Sequence, residues 1–187
     1  MKLSLTSRTT LLATLLAVAI AAVAAPLKTD PAKSKVAAVF KQMNVPVEAP
    51  FKKFTAAIDY DPAKPDAAKA SVEIETASLD VGEPDMNKEV AKKEWFNSAQ
   101  FPKASFVSTA IKAAGPGKLT VTGKLTIKGK TADVSFPLTV TASAGMQVFE
   151  GTLPIKRLAF NIGEGEWKDT SMVADEVTIK FHVTAGQ

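Results

Sequence analysis

Cysteine is absent from this 187-residue chain, and histidine occurs once, as His182. Without thiols there are no disulfides, iron–sulfur clusters, thiolate zinc sites or thiol catalysis. Stability must then come from a packed core and a closed sheet. A transition-metal site would have to be built from carboxylates, because no second imidazole exists. Ser–His–Asp catalysis would need His182 beside a nucleophile, and no nucleophile-elbow motif is present. Repeats of 20–50 residues, low-complexity tracts and basic runs interleaved with aromatics are missing too. The last absence argues against nucleic acid as a partner.

The one long apolar run lies at the start. Lys2 and Arg8 give a positive flank, and Leu11 to Ala21 is apolar except for Thr14. Ala22-Val23-Ala24 fits the small-x-small cleavage rule, so residues 1–24 read as a signal peptide and 25–187 as the mature domain. The apolar stretch, about 15 residues, is short of the roughly 20 that span a bilayer. A secreted, periplasmic protein is therefore expected rather than an anchored one. Cleavage removes two basic side chains, so the formal charge falls from +4 to about +2. The remaining lysines alternate with Thr, Ser and Glu, as on a solvated outer face that discourages edge-to-edge pairing.

What the mature part does have is alternation. Lys118 to Lys128 and Thr131 to Thr141 are expected to face each other across a Gly129-Lys130 turn of type II′. In that register Ile127 opposes Ala132, Leu125 opposes Val134, Gly123 opposes Phe136, and Val121 opposes Leu138. One face is apolar. The other pairs Lys128 with Thr131 and Lys124 with Ser135, and carries nothing catalytic. Pro137 would fall in a hydrogen-bonded pair without an N–H, which predicts a missing bond or a bulge beyond Ser135.

Further strands are expected over 34–41, 51–60, 69–76, 103–113, 145–157 and 175–184, with a loop around 44–50. A short helix is expected over 85–95, capped by Asp85 and carrying a Glu89–Lys93 ion pair. The sum is an all-β fold: an eight-stranded, up-and-down antiparallel barrel of lipocalin-like form with one short helix. His182 falls on the outward face of the last strand. Two acidic clusters, Asp80 with Glu83 and Asp85, and Glu164 with Glu166 and Asp169, lie in loops. Such clusters can hold calcium or hydrolyse glycosides, though neither has an EF-hand signature.

The inward face is where function is sought. Ala38, Ala56, Ala70, Ala132 and Gly123 are small, which means either a tightly drawn barrel or unfilled volume. Aromatics gather in two connections, Trp95-Phe96 with Phe101 and Phe160 with Trp167, where they either plug an end or frame a mouth. The candidate ligand-contacting residues are Phe40, Phe54, Ile58, Trp95, Phe96, Phe106, Val121, Ala132, Val134, Phe136, Phe160, Trp167 and Phe181. A long apolar chain is expected to enter near the two aromatic connections. No cofactor or metal is called for.

The same segments resemble a known family. Asp30 with Ser34 and Val36, Phe51-Lys52-Lys53-Phe54, and Ala77-Ser78-Leu79-Asp80-Val81-Gly82 are followed by Trp95-Phe96-Asn97 and Phe101-Pro102. Then come Val121-Thr122-Gly123-Lys124-Leu125-Thr126-Ile127-Lys128-Gly129, Arg157-Leu158-Ala159-Phe160-Asn161-Ile162-Gly163 and Asp175-Glu176-Val177. Together and in order, from about Thr29 to Val183, they resemble the YceI-like, or polyisoprenoid-binding, family of secreted bacterial proteins. The resemblance implies a lipocalin-like barrel that holds a long isoprenoid or other lipid-tailed molecule. It also implies quinone or isoprenoid handling beside membrane b-type cytochromes. The chain departs from many relatives at Asp85-Met86-Asn87-Lys88-Glu89-Val90, where they carry an arginine-aspartate-histidine-leucine run. It also lacks a histidine before Ser34.

Three functions follow as expectations. The first is a carrier or reservoir for a long-chain isoprenoid or fatty-acid-like ligand, with no enzymatic step. The second is a stress-related interaction protein with a side-chain-filled barrel, acting through a partner such as a b-type cytochrome. The third is a hydrolase built on the loop carboxylates. Association into a homodimer is left open.

Overall fold

Alternation like that of residues 118–141 runs through most of the chain, and it produces one curled antiparallel sheet. The computed structural model describes residues 26–186, so the signal-peptide expectation lies outside the described residues. The strands are β1 (Lys28–Thr29), β2 (Lys35–Gln42), β3 (Val45–Phe51), β4 (Phe54–Asp59) and β5 (Lys69–Glu75), followed by the helix α1 (Pro84–Val90). Then come β6 (Lys103–Gly115), β7 (Lys118–Ile127), β8 (Lys130–Ser143), β9 (Met146–Lys156) and β10 (Val173–Gly186). Their order in the sheet is β3-β2-β10-β9-β8-β7-β6-β5-β4, with β1 on the edge of β10.

Ten segments stand where eight strands were expected because two paths are interrupted. The β1 and β2 segments both line β10, and Pro31 starts a single 3-10 turn between them that the Asp30 side chain caps. Residues 45–50, expected as a loop, pair with β2 as β3, and only Lys52-Lys53 separates that strand from β4. Pro46 and Pro50 conceal β3 from a sequence reading, yet an edge strand tolerates proline. The curl is fastened at two places. Leu27 N–H donates to Ile58 O at 2.7 Å and Thr29 Oγ1 to Ala56 O at 2.8 Å, joining the β1 edge to β4. Beyond β5, Lys52 N–H donates to Ser78 O (3.0 Å) and Asp80 N–H to Pro50 O (2.9 Å). The sheet thus forms a lipocalin-like half-barrel, with α1 lying along the segment that fastens β3.

The central hairpin keeps its faces but not its register. Ile127 pairs with Lys130, Leu125 with Ala132, Gly123 with Val134 and Val121 with Phe136, two residues from the expected alignment. The turn is Lys128-Gly129, with φ of 46° and 72°. That is a type I′ geometry, whose twist matches the flanking strands. A two-residue slip leaves the ladder side chains on their own faces, and only Lys128, now in the turn, changes side. It also removes the Pro137 conflict: Pro137 now pairs with Thr120 in a non-hydrogen-bonded position, and the β8–β9 ladder begins only at Leu138. Gly123 makes room for a ring, but the ring is that of Phe106 on β6, 2.5 Å from where a Cβ would stand.

Outside, Lys124 meets Asp133 at 2.9 Å and Thr126 meets Thr131 at 2.8 Å. His182 is exposed, with Nδ1 2.8 Å from Glu150 Oε1 on the neighbouring strand. The helix is shorter than expected. Pro84 occupies its first turn, the N-cap is Glu83 without a side-chain bond, and Ala91 ends it. Its ion pairs are Lys88–Asp85 and Lys92–Glu89, one turn apart, in place of Glu89–Lys93. Asn87 anchors it by donating to Asp80 Oδ1 and accepting from Val81 N–H.

Candidate functional site

The inward faces of the strands leave a cavity of about 500 Å³. Its wall is apolar along most of its length, with Ala38, Ala56, Ala68, Ala70 and Ala104 at positions where larger side chains would fill the volume. Phe106, Phe136 and Phe181 run across one side, each ring centroid 5.5 Å from the next. This size falls in the range of small-molecule and cofactor sites. Exposed wall residues, Glu83 and Met86 beside the half-buried Gln42 and Val47, mark an opening between the β2–β3 hairpin and α1. Lys69 is exposed at another part of the rim.

Nine of the thirteen residues singled out from sequence line this cavity: Phe40, Ile58, Trp95, Phe96, Phe106, Val121, Phe136, Trp167 and Phe181. Four do not. Ala132 and Val134 lie on the part of β8 that β9 does not reach, where the 3-10 turn Arg157–Phe160 lies alongside. Phe160 belongs to that turn, is buried at 3 % exposure, and packs in the core behind the wall. Phe54 stands at the bend between β3 and β4 and packs against the core. Of the two aromatic connections, Trp95 and Phe160 are buried, while the half-buried Phe96 and Trp167 line the cavity, at the same end of the sheet as the β2–β3 hairpin and α1.

That end is held by two buried cations. Arg157, 2 % exposed, spends all five N–H donors on carbonyls. Nε donates to Ala174 O, Nη1 to Ile162 O and Gly163 O, and Nη2 to Trp167 O and Val173 O, over 2.7–3.2 Å. Burial pulls its pKa down from the ordinary value, with Asp175 opposing through space, and it stays charged. Its Cζ lies 5.7 Å from the Trp95 ring centroid, and Trp95 and Trp167 are 5.3 Å apart. Gly163, at φ 79°, leaves space for the guanidinium that any Cβ would invade.

Lys128 is the second cation. From the hairpin turn its Nζ donates to Lys93 O and Asn161 O at 2.7 Å and to Glu164 Oε2 at 2.9 Å. The ammonium therefore ties the β7–β8 turn to the β5–β6 and β9–β10 connections. It was expected on the polar face opposite Thr131, and the type I′ turn is what swings it inward. Arg157 had a legible signal, since it continues the inward parity of Phe149, Gly151, Leu153 and Ile155 along β9.

The acidic loops are engaged structurally. Asp80 accepts from Asn87 and from Gly82 N–H and pairs with Lys52, which together hold its pKa below the usual carboxylate value. Lys128 does the same for Glu164, and Ser171 for Asp169. Among the described residues, no group of three acids or histidine converges as metal ligands would.

The family model described as a YceI-like domain matches residues 27–185. A UPF0312 protein of Pseudomonas putida (strain W619) is 39% identical over 93 residues, covering 50% of this chain and 48% of its own length. A UPF0312 protein of Pseudomonas savastanoi pv. phaseolicola (strain 1448A / Race 6) is 38% identical over 88 residues, covering 47% and 46%. The chain thus spans about half the length of the curated relatives it matches. Among solved structures, Burkholderia cenocepacia BcnA is 56% identical, with a TM-score of 0.82 over 84% of this chain and 99% of that one. A polyisoprenoid binding domain from Saccharophagus degradans, implicated in plant cell wall breakdown, is 17% identical. It shares the fold, at a TM-score of 0.67 over 86% of this chain and 97% of its own. The chain belongs to the YceI-like domain family.

Proposed function

We propose that this protein is a periplasmic carrier or reservoir that holds a long apolar chain, of isoprenoid or fatty-acid type, inside the half-barrel without covalent chemistry. The observation that carries the reading is the cavity of about 500 Å³ walled by apolar side chains. A polar substrate would lose its water there without gaining partners. Each buried methylene contributes about 0.8 kcal/mol, so ten give roughly 8 kcal/mol before ordering costs. That is on the scale of micromolar binding. The name of the Saccharophagus degradans domain points in the same direction. An isoprenoid quinone is a fitting ligand, and a membrane b-type cytochrome is a fitting partner for a carrier of quinone. A cavity of this volume argues against a barrel filled by its own side chains.

The chain has two tryptophans, Trp95 and Trp167, and both lie on the cavity wall, so intrinsic fluorescence reports occupancy. Delipidated protein titrated with an isoprenoid quinone or a fatty acid should show a saturable change in the micromolar range. Ala38→Trp places an indole where the chain would lie and should abolish that response while retaining the sheet by circular dichroism. No response from the unsubstituted protein to either compound would overturn the reading.

A further inference from the structure

Met43-Asn44, Lys128-Gly129 and Ala144-Gly145 are two-residue hairpin turns with left-handed backbone at both positions. Such turns favour Asn and Gly, because a larger side chain crowds its own backbone at positive φ. Lys128 gains three acceptors in return, and Ala144 is small. Met43, at φ 47°, is 65 % exposed. Methionine there costs the fold stability while most of its side chain stands in water. Its reason lies outside the folded chain.

Three more exposed apolar side chains gather beside it. Val45, 62 % exposed, pairs with Gln42 across the same turn. Met172 O accepts from Met43 N–H at 2.8 Å, and Met86 lines the cavity opening with Gln42 and Val47. Among the described residues, the other exposed large hydrophobic is Val107, on β6. Val45 continues the parity of Val47 and Phe51, so the apolar wall runs past the rim into solvent. The opposite end of β10, where Gln147 pairs with Ala185, presents Ser143, Ala144 and Gly145 instead.

We propose that this rim docks on the surface of a phospholipid bilayer, with Met43, Val45, Met86 and Met172 entering the headgroup–acyl boundary and the cavity opening onto the hydrocarbon. The proposal rests on the carrier function and names the source of its ligand. A long apolar chain then passes from bilayer to cavity without crossing water. The rim suits lipid better than protein. Unbranched methionines adapt to a fluid surface. None of the four is the Trp, Tyr or Arg that anchors protein interfaces. Four side chains also fall far short of the roughly 20 residues a side of a stable interface. Lys41 beside the turn and Glu83 across the opening are exposed and opposite in sign, so the contact is apolar and transient.

Methionine methyl groups labelled with carbon-13 read the contact directly, because Met146 at the opposite end is a built-in control. With vesicles of phosphatidylcholine carrying a gadolinium-chelate lipid, the Met43, Met86 and Met172 signals should broaden and the Met146 signal should not. Broadening of all four alike, or of none, would overturn the docking surface. So would shifts of the three rim signals on concentrating the protein without lipid, the mark of a second copy as occupant. Met43→Asn suits the turn, so its melting temperature should hold or rise. Its initial rate of extracting decylubiquinone or palmitate from the vesicles should fall about tenfold, the scale of burying one large apolar side chain. Its affinity for the same compound in lipid-free solution should not change. An unchanged extraction rate would overturn the docking role. Selective broadening in a protein that binds neither compound would overturn the carrier function and leave the docking surface standing. Binding without broadening would do the reverse.

Discussion

Arg157 and Lys128 together donate eight hydrogen bonds at the aromatic end, and seven of them go to backbone carbonyls of connections that would otherwise be loose. What matters at Arg157 is the fork more than the charge. Lysine brings three donors where the guanidinium brings five. Arg157→Lys should therefore leave two buried carbonyls short of a donor and lower stability by about 2–4 kcal/mol, read as a shift in the urea midpoint. A change below about 0.5 kcal/mol would mean that the network is ornamental. The Lys128–Glu164 pair has a pH signature. Because Lys128 lowers the Glu164 pKa from its ordinary 4.5, the pair stabilises the fold above that value. The contribution is lost as pH falls through the lowered pKa of the folded state. Melting temperatures followed from neutral pH into that acid range should fall less steeply for Glu164→Gln than for the unsubstituted protein.

The hairpin of β7 and β8 shows which parts of an element can be read from residues alone. Period-two alternation fixes the face of each side chain, and Val121, Phe136, Lys124 and Asp133 lie where alternation puts them. Register is a different matter, because slips by two residues give the same faces. Only the turn decides it, and Lys128-Gly129 wins over Gly129-Lys130 because Lys128 can accept a left-handed φ in return for three acceptors. Gly129→Ala tests that geometry. A left-handed alanine costs about 1–2 kcal/mol, and its Cβ would approach Phe101 Cε1 at 2.9 Å. The melting temperature should drop accordingly, and an unchanged melt would contradict the type I′ turn. β3 escaped the sequence reading because Pro46 and Pro50 mimic a loop, and edge pairing is a tertiary fact. The cavity wall was legible wherever the alternation was regular. It was not legible at Ala132 and Val134, because nothing local announces where β9 stops covering β8.

At the scale of the molecule, fold and function meet in the alanines. Ala38, Ala56 and Ala70 give up core volume that leucine or phenylalanine would fill, and a protein without disulfides loses stability by doing so. A carrier recovers some of that stability when its ligand is bound, by mass action. The protein should accordingly melt at a higher temperature as isolated than after delipidation. The proposed periplasmic location carries its own signature, a mature chain starting at Ala25. Both are read in one experiment, native mass spectrometry of the protein purified from its own host without detergent. The account predicts a mature chain carrying a discrete adduct of a long-chain lipid, released on denaturation and absent from Ala38→Trp. A bare polypeptide mass, unchanged after incubation with isoprenoid quinones and fatty acids, would contradict it.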